Sequence, residues 1–143
     1  MTPHVRLGRA AAALTMLLVL PAALAQQTPA PFTPAATACT PDVCTITVRI
    51  NGHCRSPGGM TVEPPVVAMR QPRIILRWWL ADGAYEFNED GVVFDEIAQF
   101  EHLPSPNYIR EQRILDTRVK SGDFRYIVRV RGCPDVAAVI RHE

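Results

Sequence analysis

Apolar side chains at every second position constrain this chain more than any other feature of its sequence. In the segment 74–80, which reads IILRWWL, the even-numbered residues are all apolar, while Arg77 and Trp79 fall on the other side. The segments 45–51 and 124–131 alternate in the same way. This period is that of a strand with one buried face. Several such strands with almost no helical pattern predict an all-β chain in which two antiparallel-rich sheets pack as a two-sheet sandwich.

The segments between these strands give weaker signals. Pro64 and Pro65 interrupt the extended segment 60–68, and we expect that segment at a sheet edge or a bulge because proline cannot donate to a ladder. Further predicted elements are two short strands at 85–87 and 92–94 around the turn 88–91, at most one short helical turn within 95–102, and a strand at 108–119. Short strands and turns are therefore expected along most of the chain.

The N-terminus has the pattern of a secretory signal. Two arginines precede the apolar run Ala10–Leu20, and the small residues Ala23 and Ala25 follow it. A charged start, a short apolar centre and an A-x-A end are typical of a signal peptide, and the run is shorter than the roughly 20 apolar residues of a membrane span. We expect residues 1–25 to be cleaved off after Ala25, which makes the mature chain periplasmic or secreted.

The mature chain carries almost no net charge. The complete sequence has 15 basic and 14 acidic residues, and two arginines leave with the signal. A near-neutral chain has no overall field to attract nucleic acid or an anionic membrane, so neither is an expected partner, and no membrane span is expected after cleavage. Residues 26–38 are rich in Pro, Ala and Thr and are predicted to be a disordered tether. The folded domain is expected at 39–143.

Four cysteines, Cys39, Cys44, Cys54 and Cys133, lie in the mature region. An even number of cysteines in an exported chain predicts disulfides, and the spacings do not match a zinc site. Three pairings are possible. We favour Cys39–Cys44, which a Pro-Asp turn separates, and Cys54–Cys133, which closes the longer of these two loops.

A series of core positions continues through the second half of the chain. It comprises Leu76, Trp78, Leu80, Tyr85, Phe87, Asp90–Phe94, Phe124, Tyr126, Val128 and Val130, with Cys133–Asp135 and Val139–Ile140 at the end. The series resembles small exported bacterial proteins with a cupredoxin-like or Ig-like β-sandwich, from about Cys44 to Glu143. Many proteins of this group lack copper ligands and have no assigned function. The resemblance thus implies a fold and leaves the activity open.

Copper is the first chemistry to test against this resemblance. A blue-copper site takes two histidines and a cysteine, with a weak axial ligand that is often methionine. Cys133 is followed by His142, no methionine comes after Met69, and His53 and His102 show no ligand spacing. Since Cys133 is also expected in a disulfide, no cofactor or metal is predicted, and a copper-binding electron-transfer protein is kept as an alternative function.

The segment 78–109 contains seven acidic residues and no Lys or Arg. Glu86, Asn88 and Asp90 partly follow the start of a calcium loop, but Ile97 stands where a bidentate glutamate is required. We therefore interpret the segment as a solvated acidic loop.

Basic residues and one tryptophan form a possible contact surface. Arg49, Arg125, Arg129 and Arg131 should face solvent on the same sheet if their strands are neighbours. They could contact an anionic polymer or an acidic partner, or they could pair with acids across strands and keep the surface soluble. Trp79 is a further possible contact residue.

No catalytic arrangement is recognisable. The chain lacks the G-x-S-x-G and H-E-x-x-H motifs, and no residue set defines a nucleophile with its base. The sequence favours an exported, non-enzymatic binding or interaction module whose partner, a protein or polymer of the cell envelope, is unknown. A periplasmic inhibitor or an enzyme with an unrecognised site is the remaining alternative.

Overall fold

A computed structural model describes residues 38–143 of the chain, and every regular element in this range is a β-strand. The strands are β1 (Ala38–Cys39), β2 (Val43–Ile50), β3 (Met60–Glu63), β4 (Val66–Met69), β5 (Ile74–Leu80), β6 (Phe87–Phe94), β7 (Phe100–Leu103), β8 (Glu111–Asp116), β9 (Gly122–Val130) and β10 (Val136–His142). The predicted signal peptide and all of the predicted tether except Ala38 lie outside the described residues. Residues 38–143 contain no helix that is long and apolar enough to span a membrane.

The strands form two sheets. The larger sheet has six strands in the order β1-β2-β5-β8-β7, with β3 also paired to β2, and the smaller sheet has the order β4-β10-β9-β6. Two pairs, β2 with β5 and β4 with β10, are parallel, and the others are antiparallel. The prediction of an all-β, two-sheet sandwich is confirmed.

The chain passes from one sheet to the other at Pro64 and Pro65. Strand β3 ends at Glu63 on the larger sheet, and β4 begins at Val66 on the smaller one. Neither proline can donate a backbone hydrogen bond, so a ladder cannot continue through them. The predicted edge position is therefore confirmed, and the prolines separate two short strands.

The core lies between the sheets and follows the alternation of the sequence. The even-numbered residues of β5 and the residues Tyr126, Val128 and Val130 of β9 are buried. Trp78 packs edge-on against Tyr126, with the ring centroids 5.2 Å apart. Burial raises the pKa of the Tyr126 phenol. Since each large apolar side chain contributes about 1.5–3 kcal/mol when buried, this alternation accounts for the sandwich.

Strand β6 is one strand with a bulge, where two short strands and a turn were predicted. Its register with β9 shifts between Phe87 and Val92. Within the bulge the backbone turns so tightly that a Cβ on Gly91 would lie 2.8 Å from the Cβ of Phe87. The extra residues of a bulge change the side to which later side chains point, and Phe87 and Val92 are consequently both buried.

The segment 95–102, where at most one short helical turn was expected, contains no helix. A single turn is closed by the hydrogen bond from the Phe100 amide to the Ile97 carbonyl, at 3.0 Å, and β7 then begins. Phe100 stacks on Phe94 with the ring centroids 3.7 Å apart. This packing and the pairing of β7 with β8 hold the segment extended.

Strand β10 was not predicted. Its sequence does not alternate between apolar and polar residues, because two small residues, Ala137 and Ala138, are followed by two apolar ones, Val139 and Ile140. In the structure, every second residue from Ala138 to His142 is nevertheless buried. Strand β8 is also shorter than the predicted strand at 108–119.

Both favoured disulfides, Cys39–Cys44 and Cys54–Cys133, are present. The first closes a five-residue separation at the edge of the larger sheet. The second follows β2 at one end and β9 at the other, with Cα atoms 5.4 Å apart. Because β2 and β9 belong to different sheets, this disulfide links the two sheets.

Candidate functional site

The structure separates the basic residues predicted to share one surface. Arg49 lies on β2 of the larger sheet, whereas Arg125 and Arg129 lie on β9 of the smaller sheet, and Arg131 follows β9 directly. A shared surface was expected only if the two strands were neighbours, and they are not. Trp79, on β5, belongs to the larger sheet with Arg49.

The arginines on the outer side of the smaller sheet each have their own carboxylate. The pairs are Arg125–Asp95 at 3.5 Å, Arg131–Glu86 at 3.0 Å, Arg141–Asp123 at 2.7 Å, and Arg129 with Asp90 and, at 3.3 Å, Asp135. The hydrogen bond from Arg129 to Asp90 raises the pKa of the Arg129 guanidinium. Arg49 on the other sheet pairs similarly with Glu63 at 2.7 Å. Exposed pairs of this kind contribute little to stability, and they leave a charge-balanced surface.

The outer side of the larger sheet is arranged differently. Its central residues, which we call the Arg77/Arg113 face, are Val43, Ile75, Arg77, Trp79, Leu103, Glu111, Arg113 and Leu115. The strand register places Ile75 between Val43 and Leu115, Arg77 opposite Arg113, and Trp79 opposite Glu111. The face thus consists of an apolar row, which Glu101 of β7 continues beside Leu115, an arginine row, which Leu103 of β7 continues beside Arg113, and a row with one aromatic and one acidic side chain.

Glu111 holds both arginines of this face. The Arg77 Nε donates to Glu111 Oε2 at 2.6 Å, and the Arg113 Nε donates to Oε1. The Glu111 side chain is 6% exposed, and those of Arg77 and Arg113 are 37% and 38% exposed. Burial acts to raise the pKa of Glu111, but the hydrogen bonds and charges of the two arginines outweigh it, so the pKa lies below its ordinary value. Two positive charges share one negative charge.

The terminal Nη groups of this arginine pair are available to a ligand. Each guanidinium uses its Nε on Glu111, and no residue of the described range 38–143 accepts a hydrogen bond from the Nη atoms of Arg77 or Arg113. Like charges directly opposite each other on neighbouring strands are unfavourable. The shared carboxylate offsets only one of them, which leaves a positive site with free donors.

Trp79 lies beside this pair and is held in place. It is half-buried, with the guanidinium carbon of Arg77 at 5.4 Å and that of Arg110 at 5.8 Å from its ring centroid. Arg110 donates to the carbonyl of Tyr85 at 2.8 Å and also to the carbonyls of Leu80 and Asp82. Trp79 is thereby fixed as the aromatic end of the face.

Two shallow depressions lie on the Arg77/Arg113 face and share Ile75. The smaller, of about 180 Å³, is lined by Val43, Ile75, Arg77 and Arg113. The larger, of about 350 Å³, is lined by Asp42, Arg73, Ile74, Ile75, Leu103 and Leu115. The arginine pair thus borders a concave apolar floor, which is the usual composition of a small-ligand site.

A second polar cluster is fully buried between the sheets. The Nε2 of His142 on β10 lies 2.6 Å from the Asp116 carboxylate on β8, and both side chains are 0% exposed. The His142 Nδ1 lies 3.2 Å from the Gln99 amide and 3.1 Å from the Lys120 carbonyl. Burial raises the pKa of Asp116, although the Arg118 amide and His142 act to lower it. A ligand cannot reach these groups, so the cluster joins the sheets.

The residues considered for copper are dispersed. The Cys133 sulfur is bonded to Cys54, His53 and His102 are exposed on separate segments, and His142 is buried against Asp116. Among residues 38–143, no three His, Cys, Asp or Glu side chains are grouped so that they could hold a metal ion.

The partial calcium pattern is not a loop. It falls on the bulged strand β6 and the residues before it, where Glu86 and Asp90 pair with Arg131 and Arg129. Ile97 is 73% exposed. These carboxylates are engaged by arginines of the smaller sheet.

Sequence reasoning considered Trp79 but did not find the arginine pair beside it. The alternation of β5 places Arg77 on the outer side, whereas the pairing with Arg113 depends on the register of β5 and β8, which is not local in sequence. A scan against models of known protein families finds no match to this chain, and a search of curated proteins finds no relative.

Proposed function

We propose that this protein is an exported, non-enzymatic binding module and that the Arg77/Arg113 face is its contact surface. The proposal rests on the free Nη groups of two arginines that one buried carboxylate fixes above an apolar floor. Guanidinium groups bind carboxylate, sulfate and phosphate oxygens through paired hydrogen bonds. An anionic ligand would therefore complete the interactions that Glu111 leaves open.

Pre-organisation supports this surface over the other side of the sandwich. Glu111 and the stacking on Trp79 fix Arg77 before any ligand arrives, so less side-chain entropy is lost on binding. On the smaller sheet, an anion would have to displace Asp90 from Arg129 or Glu86 from Arg131. The same residue type is thus available on one face and engaged on the other.

The proposed location is the periplasm or the medium. Two disulfides within residues 38–143 are compatible with an oxidising compartment, and the N-terminal pattern is that of a signal peptide. We also propose membership of the exported cupredoxin-like group that lacks copper ligands. Intact-mass analysis of protein from the cell envelope should show a chain that begins at Gln26 with all four cysteines oxidised; a chain that retains residues 1–25 or has free thiols would contradict export.

Retention on a sulfated-polysaccharide column at about 0.15 M salt tests the contact surface. We expect the wild type to be retained and the double variant Arg77→Gln/Arg113→Gln to elute without delay. The matched control, Arg125→Gln/Arg129→Gln, removes the same charge from the smaller sheet and should remain retained. Equal loss in both variants, or a wild type that binds neither this column nor a small organic anion, would overturn the proposal.

A further inference from the structure

We propose that the Arg77/Arg113 face binds an organic monocarboxylate with an apolar chain, a ligand class that rests on the proposed function of this face. The carboxylate would lie between the Nη groups of Arg77 and Arg113, and the chain would extend over Ile75 towards Leu103 and Leu115. Both parts follow from the order of residues across the strands.

The acid group is indicated by the way Glu111 is held. Its two oxygens each take one guanidinium Nε, so the side chains of Arg77 and Arg113 are already spaced to share a single carboxylate. Both arginines line the smaller depression, whose other walls are Val43 and Ile75. A second carboxylate that enters there would repeat, on the Ile75 side of the arginine row, the arrangement that Glu111 makes on the Trp79 side.

The apolar chain is indicated by the floor that continues from this depression. Ile75 lines both depressions, and the larger one adds Leu103 and Leu115. Residues two apart on a strand are about 7 Å apart, so a chain of roughly eight carbons would extend from the arginine row across the apolar row. A bare inorganic anion would leave this floor exposed to water.

A single acid group is indicated by the charges at the far end. The larger depression is bordered there by Asp42 and Arg73, whose opposite charges offer no net attraction to a second anion. The volumes of about 180 and 350 Å³ suit a small ligand with one acid group and a short apolar chain.

Titration with straight-chain acids tests the ligand class, followed by NMR shifts of the arginine Nε–H and Trp79 indole signals. We expect octanoate to bind at least tenfold more tightly than acetate or inorganic phosphate, since each buried methylene should tighten binding about two- to threefold on a floor that is open on one side. Neutral octanol should bind at least tenfold more weakly than octanoate.

Three variants locate the ligand. Arg77→Gln/Arg113→Gln should weaken octanoate binding at least tenfold, and Leu103→Ala should weaken octanoate while leaving acetate unchanged. Arg125→Gln/Arg129→Gln should bind octanoate as the wild type does.

Equal affinities for phosphate, acetate and octanoate would show that the apolar chain does not contribute to binding. The face would then be a simple anion site, and the inference would be wrong. Equal affinities for octanol and octanoate would exclude a role of the arginine pair. If octanoate does not bind while retention on the sulfated column still depends on Arg77 and Arg113, the ligand class is wrong and the contact surface stands. If octanoate does not bind and retention on the sulfated column does not depend on Arg77 and Arg113, the proposed function itself is contradicted.

Discussion

The outer faces of the two sheets carry the same kind of side chain in two different electrostatic states. On the smaller sheet, Arg125, Arg129 and Arg131 each have at least one carboxylate of their own. On the larger sheet, Arg77 and Arg113 share Glu111. The comparison teaches that the number of arginines on a face does not determine how many guanidinium donors stay free, whereas the number of acceptors within reach does.

Strand register causes the difference. The bulge in β6 lies opposite Arg129 and includes Asp90, which pairs with that arginine. Asp95 and Glu86, on either side of the bulge, pair with Arg125 and Arg131. On the larger sheet, the pairing of β5 with β8 sets Arg77 opposite Arg113, and Glu111 is the single acid that contacts both guanidinium groups. A surface with unsatisfied donors results.

The largest effect should come from breaking the covalent link between the two sheets. In the chain-entropy account, Cys54→Ala/Cys133→Ala should lower the free energy of unfolding by about 4.5 kcal/mol because its loop is long, and Cys39→Ala/Cys44→Ala by about 2 kcal/mol because its loop is short. The sequence separations are 79 and 5 residues. Urea unfolding measures both losses, and equal losses would contradict the role given to the Cys54–Cys133 disulfide.

The next effect should come from the buried pair that also joins the sheets. Asp116→Ala removes the partner of His142 from a site with 0% exposure, and breaking such a pair costs about 3 kcal/mol. Asp123→Ala removes the exposed partner of Arg141 and should leave the urea midpoint unchanged. Similar midpoints for the two variants would show that the Asp116–His142 contact does not hold the sheets together.

Glu111→Gln should have an intermediate and pH-dependent effect. Removing the shared carboxylate leaves Arg77 opposite Arg113 without compensation, and we expect a loss of about 2 kcal/mol at neutral pH. The pKa of Glu111 in the folded protein is below the ordinary value of 4.5. The stability that this shift contributes is therefore fully present above pH 4.5 and is lost as the pH falls through the folded pKa.

Urea unfolding of the wild type and of Glu111→Gln between pH 3 and 7 measures this difference, with Glu63→Gln, at the exposed Arg49 pair, as the control. A difference that stays constant down to pH 3 would show that Glu111 does not bind the two arginines as an anion.

The smallest effect on stability should come from the paired arginines of the smaller sheet. Arg125→Gln/Arg129→Gln should leave the melting temperature unchanged at low and at high salt, because exposed ion pairs contribute little and are screened. Thermal unfolding followed by circular dichroism measures this. A clear loss that salt abolishes would show that the ion pairs of this face stabilise the fold.

The sequence predicted what depends on neighbouring residues. Alternation in Ile74–Leu80 identified the buried side of β5, and the same pattern identified Tyr126, Val128 and Val130. The prolines that separate β3 from β4 and both disulfide pairings were also predicted. Each of these features follows from spacing within a short segment, from the stereochemistry of proline, or from a choice among three pairings.

Features that depend on strands distant in sequence were not predicted. Arg49 and Arg125 were expected together only if their strands were neighbours, and the strands belong to different sheets. The contact of Arg77 with Glu111 spans 34 positions and that of Asp116 with His142 spans 26. Such contacts require the strand order, and alternation alone does not determine that order.

The most direct test of the central claim is an NMR titration with a short sulfated oligosaccharide that follows every arginine Nε–H signal at once. If the Arg77/Arg113 face is the contact surface, the signals of Arg77 and Arg113 and the indole signal of Trp79 should shift together. Those of Arg125, Arg129 and Arg131 should stay in place. Shifts confined to Arg125, Arg129 and Arg131, with Arg77 and Arg113 unchanged, would contradict it.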